Sequence, residues 1–221
     1  AAYTIPTVIQ KQQEAQTIAK LKKVYSTLSN AYNLALQENG PPEYWGGETD
    51  DGPSSKIYMN ILAKYLNIQK NCGNSSGCFA PNPYRTLDGG YDDYMNLNHY
   101  SGGSAIILSD GTFILLDIVS DLDYRKTNNR YANIIVDVNG YKSPNQFGID
   151  TFVFIISKNK IVSGGQGNII WGGLSFPAYC DKNKTTSQNN GRACTGWVIY
   201  NENMDYLHCP GLSWNGPQSC Q

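Results

Sequence analysis

Apolar residues fall at Ile18, Leu21, Val24, Tyr25, Leu28, Ala31, Tyr32 and Ala35. Steps of three and four draw one stripe along a 3.6-residue helix. Asn39-Gly40-Pro41-Pro42 marks its stop, a left-handed cap followed by prolines that cannot continue it. From Pro6 to Asn39 the helix reaches roughly 50 Å, more than a domain of this size requires. The stripe starts well inside the segment, whereas Thr4 to Val8 is apolar in a way that serves no globular core. The helix therefore reads as the lower half of a longer one. A second helix is predicted from about Ser54 to Ile68, where Ile57, Tyr58, Ile61, Leu62, Tyr65 and Leu66 repeat in pairs and Ser54 or Ser55 can cap the start.

The pattern is irregular over 69–103 and changes at Ser104. Ala105 to Leu108 and Thr112 to Val119 flank Ser109-Asp110-Gly111, a strong hairpin signal. Ala132 to Val138 and Thr151 to Ser157 are two further strands. The expectation is an α+β fold in which a long N-terminal amphipathic helix packs on a four-stranded antiparallel sheet. Residues 1–39 are the helix and 40–221 one globular domain, with the sheet at about 104–163. An irregular, Gly/Asn-rich tail follows over 164–221, whose ordered candidate is Gly196 to Asn201.

Composition narrows the reading. No run approaches the ~20 apolar residues of a spanning helix, and the mean hydropathy is −0.42. A formal net charge of −1 gives no electrostatic case for nucleic acid. Six cysteines, Cys72 and Cys78 in one loop and Cys180, Cys194, Cys209 and Cys220 in the tail, read as disulfides of an oxidising compartment. Zinc is the competing reading, but there is no Cys-x2-Cys pair and His99 and His208 are the only histidines. The expected pairing is sequential, Cys72–Cys78, Cys180–Cys194 and Cys209–Cys220. The short first loop closes at least entropic cost, while the last two bridges leave an exchange of partners open.

Residues 1–7, 22–28, 137–152, 194–199 and 203–207, together with the long N-terminal helix, the four-stranded antiparallel sheet and the disulfide-held tail expected above, resemble type IV pilins and type II secretion pseudopilins. Ala1-Ala2-Tyr3-Thr4-Ile5-Pro6-Thr7 looks like the segment where the pilin membrane helix ends, with its kinking proline at Pro6. Lys22-Lys23-Val24-Tyr25-Ser26-Thr27-Leu28 is similar to the helix continuation of prepilin-type proteins. Asp137-Val138-Asn139-Gly140, Pro144-Asn145, Gly148 and Asp150-Thr151-Phe152 look like a subgroup's loop between the last sheet strands. Cys194-Thr195-Gly196-Trp197-Val198-Ile199 and Asn203-Met204-Asp205-Tyr206-Leu207 resemble its C-terminal signature.

The family's peptidase cleavage point and its acidic residue in an apolar stretch are not among these residues, and the resemblance implies roughly 16 apolar residues ahead of Ala1. It further implies a structural subunit of a type IV pilus-like filament or pseudopilus that assembles with other pilin subunits. Such a subunit is anchored in the inner membrane before assembly, and stands at the bacterial cell surface or in the periplasm afterwards. Pro6 would set helix geometry, and Ile18, Leu21, Val24, Tyr25 and Leu28 would pack, either against neighbouring subunits or as ordinary core.

Two other chemistries compete. Asp137, Asn139 and Asp150, with Asn145, place oxygen donors at a spacing that suits Ca2+, which some pseudopilins bind in this region. The twelve-residue calcium pattern fails, with Gly148 at its last position, and Asp-x-Asn-Gly also serves as a simple turn. A secreted glycan- or surface-binding module, an adhesin, is the alternative, with Trp45, Trp171, Trp197 and Trp214 as stacking candidates. No enzyme is expected. Asp88, Asp92 and Asp93, or Asp117, Asp121 and Asp123, offer paired carboxylates of glycosidase type, but these residues more often form turns. There is no P-loop, no dinucleotide fingerprint and no His-Glu-x-x-His, and Gly164-Gly165-Gln166-Gly167 has no helix predicted after it.

Overall fold

A computed structural model describes residues 4–95, 102–166, 175–184 and 188–221. The chain opens with helix α1 (Thr4–Asn39), 36 residues and about 54 Å long. It stops where Gly40 takes φ +71 and donates its amide to Leu36 O at 2.9 Å. The stripe residues Leu21, Val24, Leu28, Ala31, Tyr32 and Ala35 are buried, with Ile18 and Tyr25 partly so. No helix among the described residues is long and apolar enough to cross a membrane.

Helix α2 spans Gly52–Ala63, shorter at its end and earlier at its start than the apolar repeat predicts. Asp51, rather than Ser54 or Ser55, caps it, accepting the Ser54 amide at 2.8 Å, and Pro53 sits in the first turn, where its missing N–H costs nothing. The apolar positions Tyr65 and Leu66 still pack on the core from a turn, and Ile68 already belongs to a strand.

The sheet has six strands, not four: β1 (Ile68–Gly73), β2 (Ser104–Leu108), β3 (Phe113–Ile118), β4 (Ala132–Asp137), β5 (Thr151–Ile156) and β6 (Ile161–Ser163). They form an antiparallel meander in sequence order. β1 reads Ile-Gln-Lys-Asn-Cys-Gly, with no apolar alternation, because it is a largely exposed edge whose register to β2 shifts twice. β6, three residues long, is the opposite edge. Between β2 and β3, Asp110-Gly111 makes the turn, Gly111 at φ +86.

Both sheet faces are covered. Ile106, Ile114, Leu116, Ile134, Phe152 and Phe154 face a large core with α1 and α2. The alternate residues Ala105, Ile107, Phe113, Leu115, Ile135 and Val153 face a smaller core capped by Tyr84, Met95 and Phe147. A short helix α3 (Leu122–Asn128), capped by Asp121, connects β3 to β4. Gly196 to Asn201 falls in the last helix, α4 (Cys194–Asn201), which packs on α1, β5 and β6. The disulfides join Cys72–Cys78, Cys180–Cys194 and Cys209–Cys220. The second draws a loop onto the start of α4, and the third closes the tail.

Candidate functional site

The N-terminal turns of α1 are one place where the fold leaves apolar surface uncovered. From Val8 to Gln13 every residue is exposed, and Val8 and Ile9 keep 64% and 50% of their surface in contact with solvent. The helix meets the domain at Glu14, whose carboxylate takes His208 Nε2 at 2.8 Å. Between them runs a cleft of about 580 Å³ lined by Ile9, Gln13, Thr17, Ile149, Met204 and Leu207. Pro6 lies within α1, about one turn before Ile9. Leu21, Val24 and Leu28, by contrast, sit deep in the domain's own core and present nothing to a neighbour.

The second place is the loop from Asp137 to Asp150, beneath the same cleft through Ile149. Asp137 Oδ1 accepts the amides of Asn139 and Gly140, at 3.1 and 2.9 Å, which makes a turn with Gly140 at φ +64. A Cβ on Gly140 would stand 2.3 Å from Gly111 O, so only glycine fits. Asp150 takes the Asn145 amide and Asn139 Nδ2 on one oxygen, both at 3.0 Å, and the Gln146 amide on the other at 2.6 Å. Gln146 Nε2 then ties the loop to Thr86 O and Leu87 O.

These bonds leave a surplus of acceptors. Asp137 Oδ2, Asn139 Oδ1 and Asn145 Oδ1 are buried and receive no hydrogen bond. The Tyr84 phenol is close enough to temper the shift of Asp137 but makes no hydrogen bond of good geometry. Burial, then the neighbouring Asp150, pushes the Asp137 carboxyl well above the usual carboxylate range. Burial raises Asp150 as well, against the amides that hold it. Among the described residues neither carboxylate pairs with a lysine or arginine. Each orphaned buried oxygen costs about 1–3 kcal/mol. A hard, oxygen-seeking cation answers that deficit, and Asp137, Asn139, Asn145 and Asp150 fit Ca2+ in donor type. Among the described residues no three His, Cys, Asp or Glu side chains converge on a metal, so amide oxygens would have to complete the set.

The remaining candidates have structural partners. Trp45 is buried, packs edge-on against Tyr32 and at a tilt against Tyr58, and donates to Gly40 O. Trp197 is fully buried, lies 4.0 Å from the Phe176 ring and donates to Asn203 Oδ1. Trp214 is half-buried against Trp197, Phe176 and Tyr200. Trp171 and His99 lie outside the described residues, as do Ala1 to Tyr3 and Gly167. Asp92 is buried in an ion pair with Arg192 at 2.7 Å, and the guanidinium lies 4.9 Å from the Tyr94 ring centre and 4.5 Å from that of Phe147. Thr86 donates to Asp88, Gln188 to Asp93, and Tyr94 to the buried Asp117. Asp121 caps α3, and Asp123 lies in its first turn. The Arg192–Asp92 pair, invisible in the pattern because its partners are 100 residues apart, is a feature that spacing had no means to reveal.

No protein family, curated protein or solved structure matches the chain.

Proposed function

We propose that the protein is a structural subunit of an extracellular or periplasmic filament of the type IV pilus or pseudopilus kind, assembled through the N-terminal part of α1. The observation that carries this reading is the bare apolar end of the helix, Val8 and Ile9 beside the cleft under α1. An isolated helix end of this kind gains little from its own domain, since helical stability comes mainly from packing an apolar face. Packing against the same helix of neighbouring subunits would remove that surface from water, at about 25 cal/mol per Å² of apolar area. The resemblance of residues 1–7 and 22–28 to pilin sequences supports the same assignment, and three disulfides suit an oxidising location. Inner-membrane anchoring before assembly belongs to this proposal, through apolar sequence ahead of Ala1.

The loop of Asp137, Asn139, Asn145 and Asp150 is proposed to take Ca2+. The ion would supply the positive charge that its buried carboxylates lack, and so fix Ile149 in the floor of the cleft under α1. The adhesin reading rests on tryptophans that serve packing wherever they are described, and it has less support.

The test is a paired Val8→Asp and Ile9→Asp variant, produced in cells alongside the wild type. The expected result is loss of the subunit from sheared surface filaments with an unchanged melting temperature of the domain. Filaments that form normally from the variant would overturn the role of this helix end.

A further inference from the structure

A different surface, at the far edge of the sheet from α4, carries a second cleft. Here a cleft of about 500 Å³ lies among Gln69, Lys70, Ile107, Asn139, Tyr141 and Lys142. That volume falls in the range of small-molecule clefts. Tyr141 keeps 47% of its surface exposed, yet its phenol donates to Gly77 O at 3.0 Å, which fixes the ring. Lys70 Nζ donates to the same carbonyl at 2.5 Å. Gly77 belongs to the loop closed by Cys72–Cys78, and the opposite wall is locked by the approach of Gly140 to Gly111. The cleft is thus built before any ligand arrives, which lowers the ordering cost of binding.

Its chemistry is specific in three respects. A rigid aromatic ring beside the buried Ile107 offers a flat apolar surface. The Gln69 amide supplies donors and an acceptor together, a match for neighbouring hydroxyls. Lys70 and Lys142 border the cleft, and among the described residues neither is ion-paired with a carboxylate. Both therefore remain available to an anionic group, and electrostatic complementarity would select one. A plate for a ring, an amide for hydroxyls and two ammonium groups without a carboxylate partner among the described residues describe one ligand class. We infer that this cleft binds an acidic saccharide, a pyranose carrying a carboxylate. The inference does not rest on filament assembly. A polynucleotide would offer anions too, but the chain's net charge of −1 and a cleft with two cations do not provide the extended basic track it needs.

The experiment is a calorimetric titration of the purified, disulfide-intact protein with tetragalacturonic acid, with galactotetraose and a pyrimidine oligonucleotide as comparison probes. Tetragalacturonic acid is expected to bind with a dissociation constant of about 1 mM or tighter, and the neutral sugar at least ~tenfold more weakly. Tyr141→Ala and Lys142→Gln should each weaken binding ~tenfold while the far-UV spectrum is unchanged, since both side chains are exposed. Absence of binding, equal binding of the neutral sugar, displacement of the acidic sugar by the oligonucleotide, or a Tyr141→Ala variant that binds like the wild type would each overturn the proposal.

Discussion

Asp137 has its two carboxylate oxygens in different situations: one holds a turn through two amides, while the other is buried with the Tyr84 phenol as its neighbour and, among the described residues, no cation. Without a cation its raised pKa sets a pH dependence of known sign. The folded form keeps its proton to higher pH than the unfolded form, so the contribution is whole below the ordinary carboxylate range near ~4 and is lost as pH rises toward the raised value. In chelator, the melting temperature should therefore fall as pH climbs from about 4 toward neutrality. Added Ca2+ should restore it increasingly with pH, because the ion holds the ionised form. Asp137→Asn should abolish the calcium response and flatten the slope. A melting temperature that ignores calcium and chelator alike at pH 7 would remove the ion from the account. At Gly140, where φ is +64 and a Cβ would meet Gly111 O, alanine should lower stability by more than ~1 kcal/mol in denaturant unfolding.

Among the elements, α1 has two halves with different work. Its C-terminal two-thirds is a core element, and Val24→Asp, placing a carboxylate at a 2% exposed position, should cost upwards of ~3 kcal/mol and deplete folded protein before any assembly step. The same substitution at Val8 should leave the unfolding free energy within ~0.5 kcal/mol of wild type, since that side chain is 64% exposed. What could be read in advance follows the strength of local pattern. The α1 stripe, its Gly40 stop, the Asp110-Gly111 hairpin and the runs that became β2 to β5 were legible because burial demands apolar residues there. β1 was not, because an exposed and bulged edge strand needs no apolar alternation. Nor was α3, where one Asp121 cap and seven residues give too short a period to detect. The acidic turn at Asp137 was visible as a motif. Its orphaned oxygens were not, since Asn145 and Tyr84 reach it only through tertiary packing.

In the whole molecule the sheet is enclosed on both faces, with α1, α2 and α4 on one side and the 78–95 segment with Phe147 on the other. The disulfides hold segments that lack a strong apolar pattern, among them the loop before α4 and the chain's last residues. Among the described residues, an apolar stretch near the start of α1 and a cleft bordered by Lys70 and Lys142 face outward. Whether the start of α1 builds a filament is decided by where the native chain is found. Immunogold electron microscopy of the cells that produce it, with antibodies to this domain, should label surface or periplasmic filaments along their length. The sheared fraction should contain the chain joined to an apolar N-terminal segment. Label confined to free protein in the medium, with a native chain that begins at Ala1, would contradict the account.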